Sequence, residues 1–398
     1  MTADGVLRRV SVAERRARVA VRQLARFKRC EDVADALVAL HATDPATVFL
    51  SVGARLGEAG TATAGMEKAL YGETGSLVRM LAMRRTMFVV TRETAADVYA
   101  AAGQKIAANE RRKLLVFLAE GGGWDAKWLA AVEAEVVAAL DTHGEISGAE
   151  LSKLVPGLRE RVLVAAGKPY EAWQNVASRI IRTMAAEGRI ERRRPMGSWI
   201  SGQFRWANAE PLPERPAPEA RARLAAAWLR AYGPGTEADL KWWTGWSLTD
   251  TRKALAANHA QSVTVSRGDD DGDGVPGFVL PGDDAPVDGA PPPAALLLPA
   301  LDPTPMGWQD RDWYLPQSHR AALFDGTGNV GPTVWWGGEV IGGWAQRPEG
   351  TVAWRLLADR GAEAAAAVAE AAQELTGHLG DVRVTPRFRT PLERELSA

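Results

Sequence analysis

The sequence predicts an α+β protein, with about three tandem winged-helix modules followed by a small C-terminal β-barrel. Two observations carry that prediction. A succession of helices closed by a β-prone segment occurs three times between Ser11 and Ser266. Beyond Pro293 the helical period gives way to short β-like runs separated by Gly and Pro, as in a small barrel or curled sheet. The length agrees, since 398 residues exceed what one hydrophobic core organises.

Ser11-Val12-Ala13-Glu14 reads as a capping box that opens a helix reaching about Phe27. A second helix is expected over Glu31 to Leu40 and a third after Pro45. Asp44 caps free N–H groups and Pro45 suits the first helical position, so His41-Ala42-Thr43 forms a short non-helical connection. In an extended backbone, residues two apart share a side, which puts His41 and Thr43 together. The same spacing also describes an ordinary helix–helix joint with a polar lining. Leu77 to Met83 and Thr86 to Thr91, around Arg84-Arg85, complete the first set as a hairpin. In such a module one helix can enter a DNA groove with the hairpin beside it.

The second set comprises a helix over Asp125 to Asp141 and a capping box at Ser147 to Glu150. A long helix over Glu171 to Glu187 and a hairpin over Ile190 to Trp206 close it. Pro211 to Pro218 reads as a linker. The third set has helices over Pro218 to Tyr232, from the Thr236–Asp239 cap through Trp242-Trp243, and over Leu248 to Asn258. A strand at Ser262 to Ser266 follows. Gly268 to Pro293, rich in Asp, Gly and Pro, reads as loop. Strands are expected at Ala295 to Leu298, Val334 to Trp336, Val340 to Trp344 and Val352 to Leu356, then a helix over Gly361 to Gly377 and a strand-like Val382 to Thr385. The expected modules are residues 1–120, 121–210 and 211–268, with the barrel over 269–398.

Composition removes several function classes. Forty-eight Lys and Arg balance 49 Asp and Glu, which argues against indiscriminate coating of nucleic acid while leaving room for a local basic face. Cys30 is the single cysteine, which removes intramolecular disulfides and cysteine zinc clusters and points to the cytoplasm. The five histidines have no metal-ligand spacing. No apolar run approaches the ~18 residues of a membrane span, and Met1 to Ser11 lacks the apolar core of a signal peptide. Asp269 to Gly274 mimics the start of a calcium loop. Leu280 stands where the loop needs a bidentate Glu, and Pro276 interrupts it. Gly121-Gly122-Gly123 lacks the Lys-Ser/Thr of a phosphate loop. No cofactor and no metal is expected.

Leu298-Pro299-Ala300-Leu301-Asp302-Pro303, then Met306-Gly307-Trp308, Arg311 and Leu315, resembles the C-terminal signature of the AlkZ/YcaQ-like winged-helix DNA glycosylases. Asn329 with Pro332, and Val340-Ile341-Gly342-Gly343-Trp344, continue it. Leu40-His41-Ala42-Thr43-Asp44-Pro45 falls where that family carries its catalytic segment. The resemblance spans about residues 8 to 390. It implies tandem winged helices and a barrel arranged as a C-shaped clamp on DNA. It also implies removal of bulky alkylated purines, crosslinks included, without a metal. The family motif is Gln, a small or apolar residue, then Gln or Asp; here His41 and Thr43 hold those positions.

A cationic alkylpurine is already a good leaving group, so the chemistry needs a placed water rather than a strong acid. A neutral His41 can accept a water proton, and the Thr43 hydroxyl can hold the same water. No Lys sits at the motif to form a Schiff base, so a monofunctional glycosylase is expected. The partner is double-stranded DNA carrying alkyl adducts, bound by a monomer. Asn175, Ser178, Arg179 and Arg182 fall at helical spacing, suited to phosphates or simply to solvent. Arg192-Arg193-Arg194 with Met196 and Trp199 suit a wing that enters the minor groove. Arg84 and Arg85 suit phosphate contact or solvent. Trp242, Trp243, Trp246, Trp335, Trp336 and Trp344 are expected as packing residues. The alternative function is a non-catalytic winged-helix DNA-binding protein that shields or senses adducts or regulates transcription.

Overall fold

A computed structural model describes residues 7–56, 62–73, 75–165, 167–268, 274–287 and 292–398. Helix and strand are mixed along the chain, and one order of elements recurs. The first unit runs helix Cys30–Ala36, strand Leu40–His41, helices Pro45–Gly53 and Ala62–Tyr71, then strands Leu77–Ala82 and Thr86–Thr91. Thr86–Thr91 is the middle strand, antiparallel to both neighbours. The second unit runs helix Ala126–His143, strand Ile146–Ser147, helices Gly148–Leu154 and Ala177–Ala186, then strands Ile190–Pro195 and Phe204–Asn208. Its last strand is again central.

The third unit has helices Ala217–Tyr232, Glu237–Thr244 and Leu248–Ala257 and the hairpin Gln261–Ser266 with Gly274–Val279. A bridge between Gly235 and Phe278 stands in for its short strand. The N-terminal strand Arg9–Val10 joins this hairpin in parallel. The hairpin straddles position 268.

Local chemistry explains these boundaries. Ser147 and Thr236 form reciprocal capping boxes with Glu150 and Asp239. Val38 has φ 63°, a left-handed conformation that ends the preceding helix and turns Leu40–His41 into strand. The helix expected to reach Leu40 therefore stops at Ala36. The long helix expected over Glu171 to Glu187 is shortened at its N-terminal end. Arg161–Val164 and Ala172–Asn175 form an antiparallel hairpin, and the helix begins only at Ala177. The Asn175 side chain accepts from the Ala177 N–H at 2.7 Å, a local turn that starts the helix late. Gly274–Val279, in the stretch read as loop, is a strand because Val275 and Val279 pack on the core of Val10, Val263 and Val265. The calcium-like run Asp269 to Asp273 lies outside the described residues.

The C-terminal strands Ala295–Leu298, Thr333–Trp336, Glu339–Gln346 and Val352–Leu356 form one antiparallel sheet in that order. The first and last strands do not pair, so among the described residues the sheet stays open rather than closing into the expected barrel. The helix Gly361–Leu379 packs across both of these edge strands, and its apolar face does the covering that closure would do. Val382 to Thr385 is not a strand; the Val384 N–H donates to the Gln346 side chain instead. A short helix, Pro391–Leu396, follows.

The second unit has its own core around Leu118, Val136, Ile180 and Met184. The first unit shares a core with the C-terminal sheet, where Phe49, Leu297, Ile341 and Trp344 meet. Trp228, Trp308, Trp313 and Trp335 are fully buried, and Trp243, Trp246 and Trp344 nearly so, as packing residues. Trp336 and Trp242 are half-buried. No helix among the described residues is long and apolar enough to cross a membrane.

Candidate active site

The segment Leu40 to Pro45 is held from several directions. Leu40 and His41 pair with Val89 and Phe88, and the Ala42 N–H donates to the Met87 carbonyl at 2.8 Å. Asp44 caps the helix Pro45–Gly53: Oδ1 accepts from the Ala46 N–H at 3.1 Å. Its Oδ2 accepts from the Arg387 N–H at 2.9 Å. Both carboxylate oxygens of the buried Asp44 therefore accept backbone hydrogen bonds that fix its position. The Ala42 carbonyl accepts from Arg79 Nη1 at 3.2 Å, and the Thr43 carbonyl from Arg387 Nη1 at 3.5 Å.

His41 and Thr43 do not project together as the extended spacing predicted. The chain bends at Thr43, where the strand gives way to the Asp44 cap, so the two-residue alternation is lost. Thr43 is half-buried and lines a cleft of about 490 Å³. His41 does not line it. Its side chain is 7% exposed, edge-on to Phe88 at 5.5 Å, and its Nδ1 has no hydrogen-bond partner. Burial, reinforced by the Arg84 charge, pushes the imidazole down to about 3, so it is neutral across the physiological range.

Opposite Thr43 stand residues of the second unit: Ser147, Arg192, Met196, Gln203, Phe204 and Trp206. Among the described residues lining this cleft there is no Asp, Glu or Lys. Arg192 also lines an adjoining cavity of about 470 Å³, with Arg79, Arg85, Lys113, Arg179 and Arg182. The two carboxylates on that cavity are taken: Glu110 by Arg85 and Lys113, Glu191 by Arg193. Among the described residues, Arg79, Arg179, Arg182, Arg192 and Arg387 have no carboxylate within ion-pair distance, whereas arginines elsewhere are mostly paired. Burial, with Arg79, Arg182 and Arg387 nearby, lowers the Arg192 guanidinium to about 10. A chain with net charge −1 thus concentrates uncompensated positive charge on one face.

The other candidate residues divide. Arg179 and Arg182 lie exposed on the helix Ala177–Ala186 and face the basic cavity. Ser178 braces Arg182, accepting from Nη2 at 3.1 Å, while Asn175, at the end of the preceding strand, accepts from the Ala177 N–H. In the wing, Arg192 and the 41% exposed Met196 reach the cleft. Arg193 turns away to Glu145 and Glu191, and Arg194 to Glu67. Trp199 is no wedge, because it is buried against Phe49 at 5.2 Å. At the first hairpin, Arg84 has φ 54° and lays its guanidinium over Trp242 at 4.2 Å, while Arg85 makes a bidentate pair with Glu110.

Sequence reasoning passed over Arg79, Arg387, Ser147, Gln203 and Phe204. Arg79 carried a visible signal: it is the one charged residue inside the apolar strand Leu77–Ala82. Arg387 carried none, since it reaches Thr43 from 344 residues away.

The chain matches the profile of the AlkZ-like DNA glycosylases over residues 34–378. Its fold is similar to that of the Streptomyces sahachiroi DNA glycosylase AlkZ, with TM-score 0.68 and 20% sequence identity. That match covers 95% of this chain and 99% of the other. No curated protein matches it by sequence. With the profile extending over most of its length, the chain belongs to the AlkZ-like DNA glycosylase family.

Proposed function

We propose that this protein hydrolyses the N-glycosidic bond of bulky or cationic alkylpurines in double-stranded DNA, acting as a monomeric, monofunctional glycosylase. Crosslinks and natural-product lesions belong to the same substrate class. The observation that carries this reading is the cleft: a pinned Thr43 facing unpaired arginines, with no carboxylate and no lysine among its described lining residues. Without a carboxyl acid, the cleft suits a base that leaves as a neutral species because it was cationic beforehand. Without a lysine, water rather than an amine is the nucleophile.

In this reading the Thr43 hydroxyl accepts from and orients the attacking water at the sugar. His41, neutral and buried, acts from behind by holding the strand that carries the loop. The arginines hold the backbone phosphates, and the Met196 wing probes the minor groove. The three recurring units act as winged-helix modules over residues 1–120, 121–210 and 211–268. The third continues into the hairpin that ends at Val279, and the remainder holds the open sheet from Ala295 to Leu356 with the helices that follow it.

The burial of His41 favours one other reading, because it leaves a single hydroxyl where the family motif has two polar side chains. In that case the protein shields or senses adducts without cutting them. Base release from duplex DNA carrying N7-alkylguanine adducts, from methyl to a bulky lesion, separates the two. Release that falls on Thr43→Ala supports the glycosylase. Tight binding of the adducted duplex with no release supports the shield.

A further inference from the structure

Arg79 is a buried cation with no carboxylate within ion-pair distance among the described residues. It is 7% exposed and sits in a strand whose other residues are apolar. Nη1 donates to the Ala42 carbonyl, but Nε and Nη2 are buried without a partner. The buried Tyr71 hydroxyl lies close enough to interact with this guanidinium, but it is neutral and supplies no counter-charge. Desolvating a guanidinium without an anion is costly, and buried charges in proteins are as a rule paired. Arg192 approaches from the second unit. Arg79 lies over the Phe204 ring at 4.9 Å, and Arg192 lies 5.4 Å from the same ring. Both line the basic cavity, and Arg192 extends into the Thr43 cleft.

We propose that Arg79 and Arg192 together form a receptor for a single phosphodiester group of the bound DNA strand, at the junction of the basic cavity and the Thr43 cleft. Two planar guanidiniums match the oxygens of one phosphate better than any neighbouring side chain does. Arg79 is also a positioning residue. Its bond to the Ala42 carbonyl connects the bound phosphate to the loop that carries Thr43. The inference rests on the DNA-substrate reading above.

The test measures how affinity depends on salt. A fluorescent duplex with a tetrahydrofuran abasic-site analogue is bound by wild type, Arg79→Gln, Arg192→Gln and the double variant from about 50 to about 200 mM salt. Losing one phosphate contact lowers the log–log slope by about 0.9. A shared receptor predicts that drop in each single variant and no further drop in the double. A double variant losing about twice as much means two separate phosphates and overturns the shared receptor. Unchanged slopes in the variants, with wild type binding normally, overturn the receptor and leave the DNA reading standing. Wild type with no salt-dependent binding overturns both. Arg192 is only half-buried and makes no side-chain hydrogen bond, so an unchanged slope in Arg192→Gln overturns the receptor even if Arg79→Gln fails to fold, and Arg79→Met then takes its place in the comparison with the double variant.

Discussion

Arg55 and Asp302 lie 247 residues apart and form a fully buried bidentate ion pair, with both hydrogen bonds at 2.8 Å. Arg55 follows the helix that Asp44 caps, and Asp302 belongs to the C-terminal Leu-Pro-Ala-Leu-Asp-Pro run. Thr47 strengthens the junction by donating to the Ala300 carbonyl at 2.8 Å. The C-terminal signature therefore acts as a brace under the helix whose N-terminus presents Thr43.

Breaking that pair is expected to be severe. Asp302→Ala leaves the Arg55 guanidinium buried without its carboxylate, and the loss is about 3–5 kcal/mol. Chemical denaturation checks this. Replacing both partners, Arg55→Met with Asp302→Leu, is expected to cost less than Asp302→Ala alone. A double replacement as damaging as the single one contradicts the account.

Thr43→Ala is expected to lower base release from alkylated duplex at least tenfold, or about 1.4 kcal/mol or more of barrier, with unfolding unchanged. Thr43→Ser, which keeps the hydroxyl, retains most of the rate. Single-turnover release assays decide it. Equal rates in Thr43→Ala and wild type remove Thr43 from the chemistry.

His41 predicts a pH effect on stability. Its folded value near 3 lies below the unfolded value near 6.5, so the unfolded chain binds the proton more readily. The stabilising contribution is complete above about pH 6.5 and is lost as pH falls toward about 3, by roughly 1.4 kcal/mol per unit. His41→Phe is expected to flatten that part of the stability–pH curve. In the rate, no ionisation near 6.5 from His41 is expected between pH 5.5 and 8. Unfolding curves measured at several pH values in wild type and variant test the first claim, and a pH–rate profile tests the second.

The wing residues are expected to separate by role. Trp199→Ala opens a cavity beside Phe49 and costs about 3–5 kcal/mol of stability. Met196→Ala leaves stability within about 0.5 kcal/mol and weakens DNA binding. Thermal unfolding and anisotropy titration of both variants give the comparison. The reverse pattern would show that Trp199, not Met196, touches DNA.

What the chain alone determined is local. Ser11, Ser147 and Thr236 announce helix starts because a cap and its third-residue partner lie within one turn. Asp44-Pro45 marks its helix in the same way, and three successions of helices and hairpin are legible from period and punctuation. Family membership was legible too, because the C-terminal signature is a contiguous run. Tertiary structure decided what depends on distant neighbours. The helix expected from Glu171 starts only at Ala177, because Ala172–Asn175 pairs with Arg161–Val164, and the last sheet stays open because a helix covers its edge strands. His41 and Thr43 part company because the Asp44 cap, held by Arg387 from the far end of the chain, bends the backbone between strand and helix. The uncompensated charge of Arg79 and Arg192 arises only when strands 113 residues apart in sequence meet over Phe204. Periodicity records which face of an element is buried, but not which charge another element brings to it.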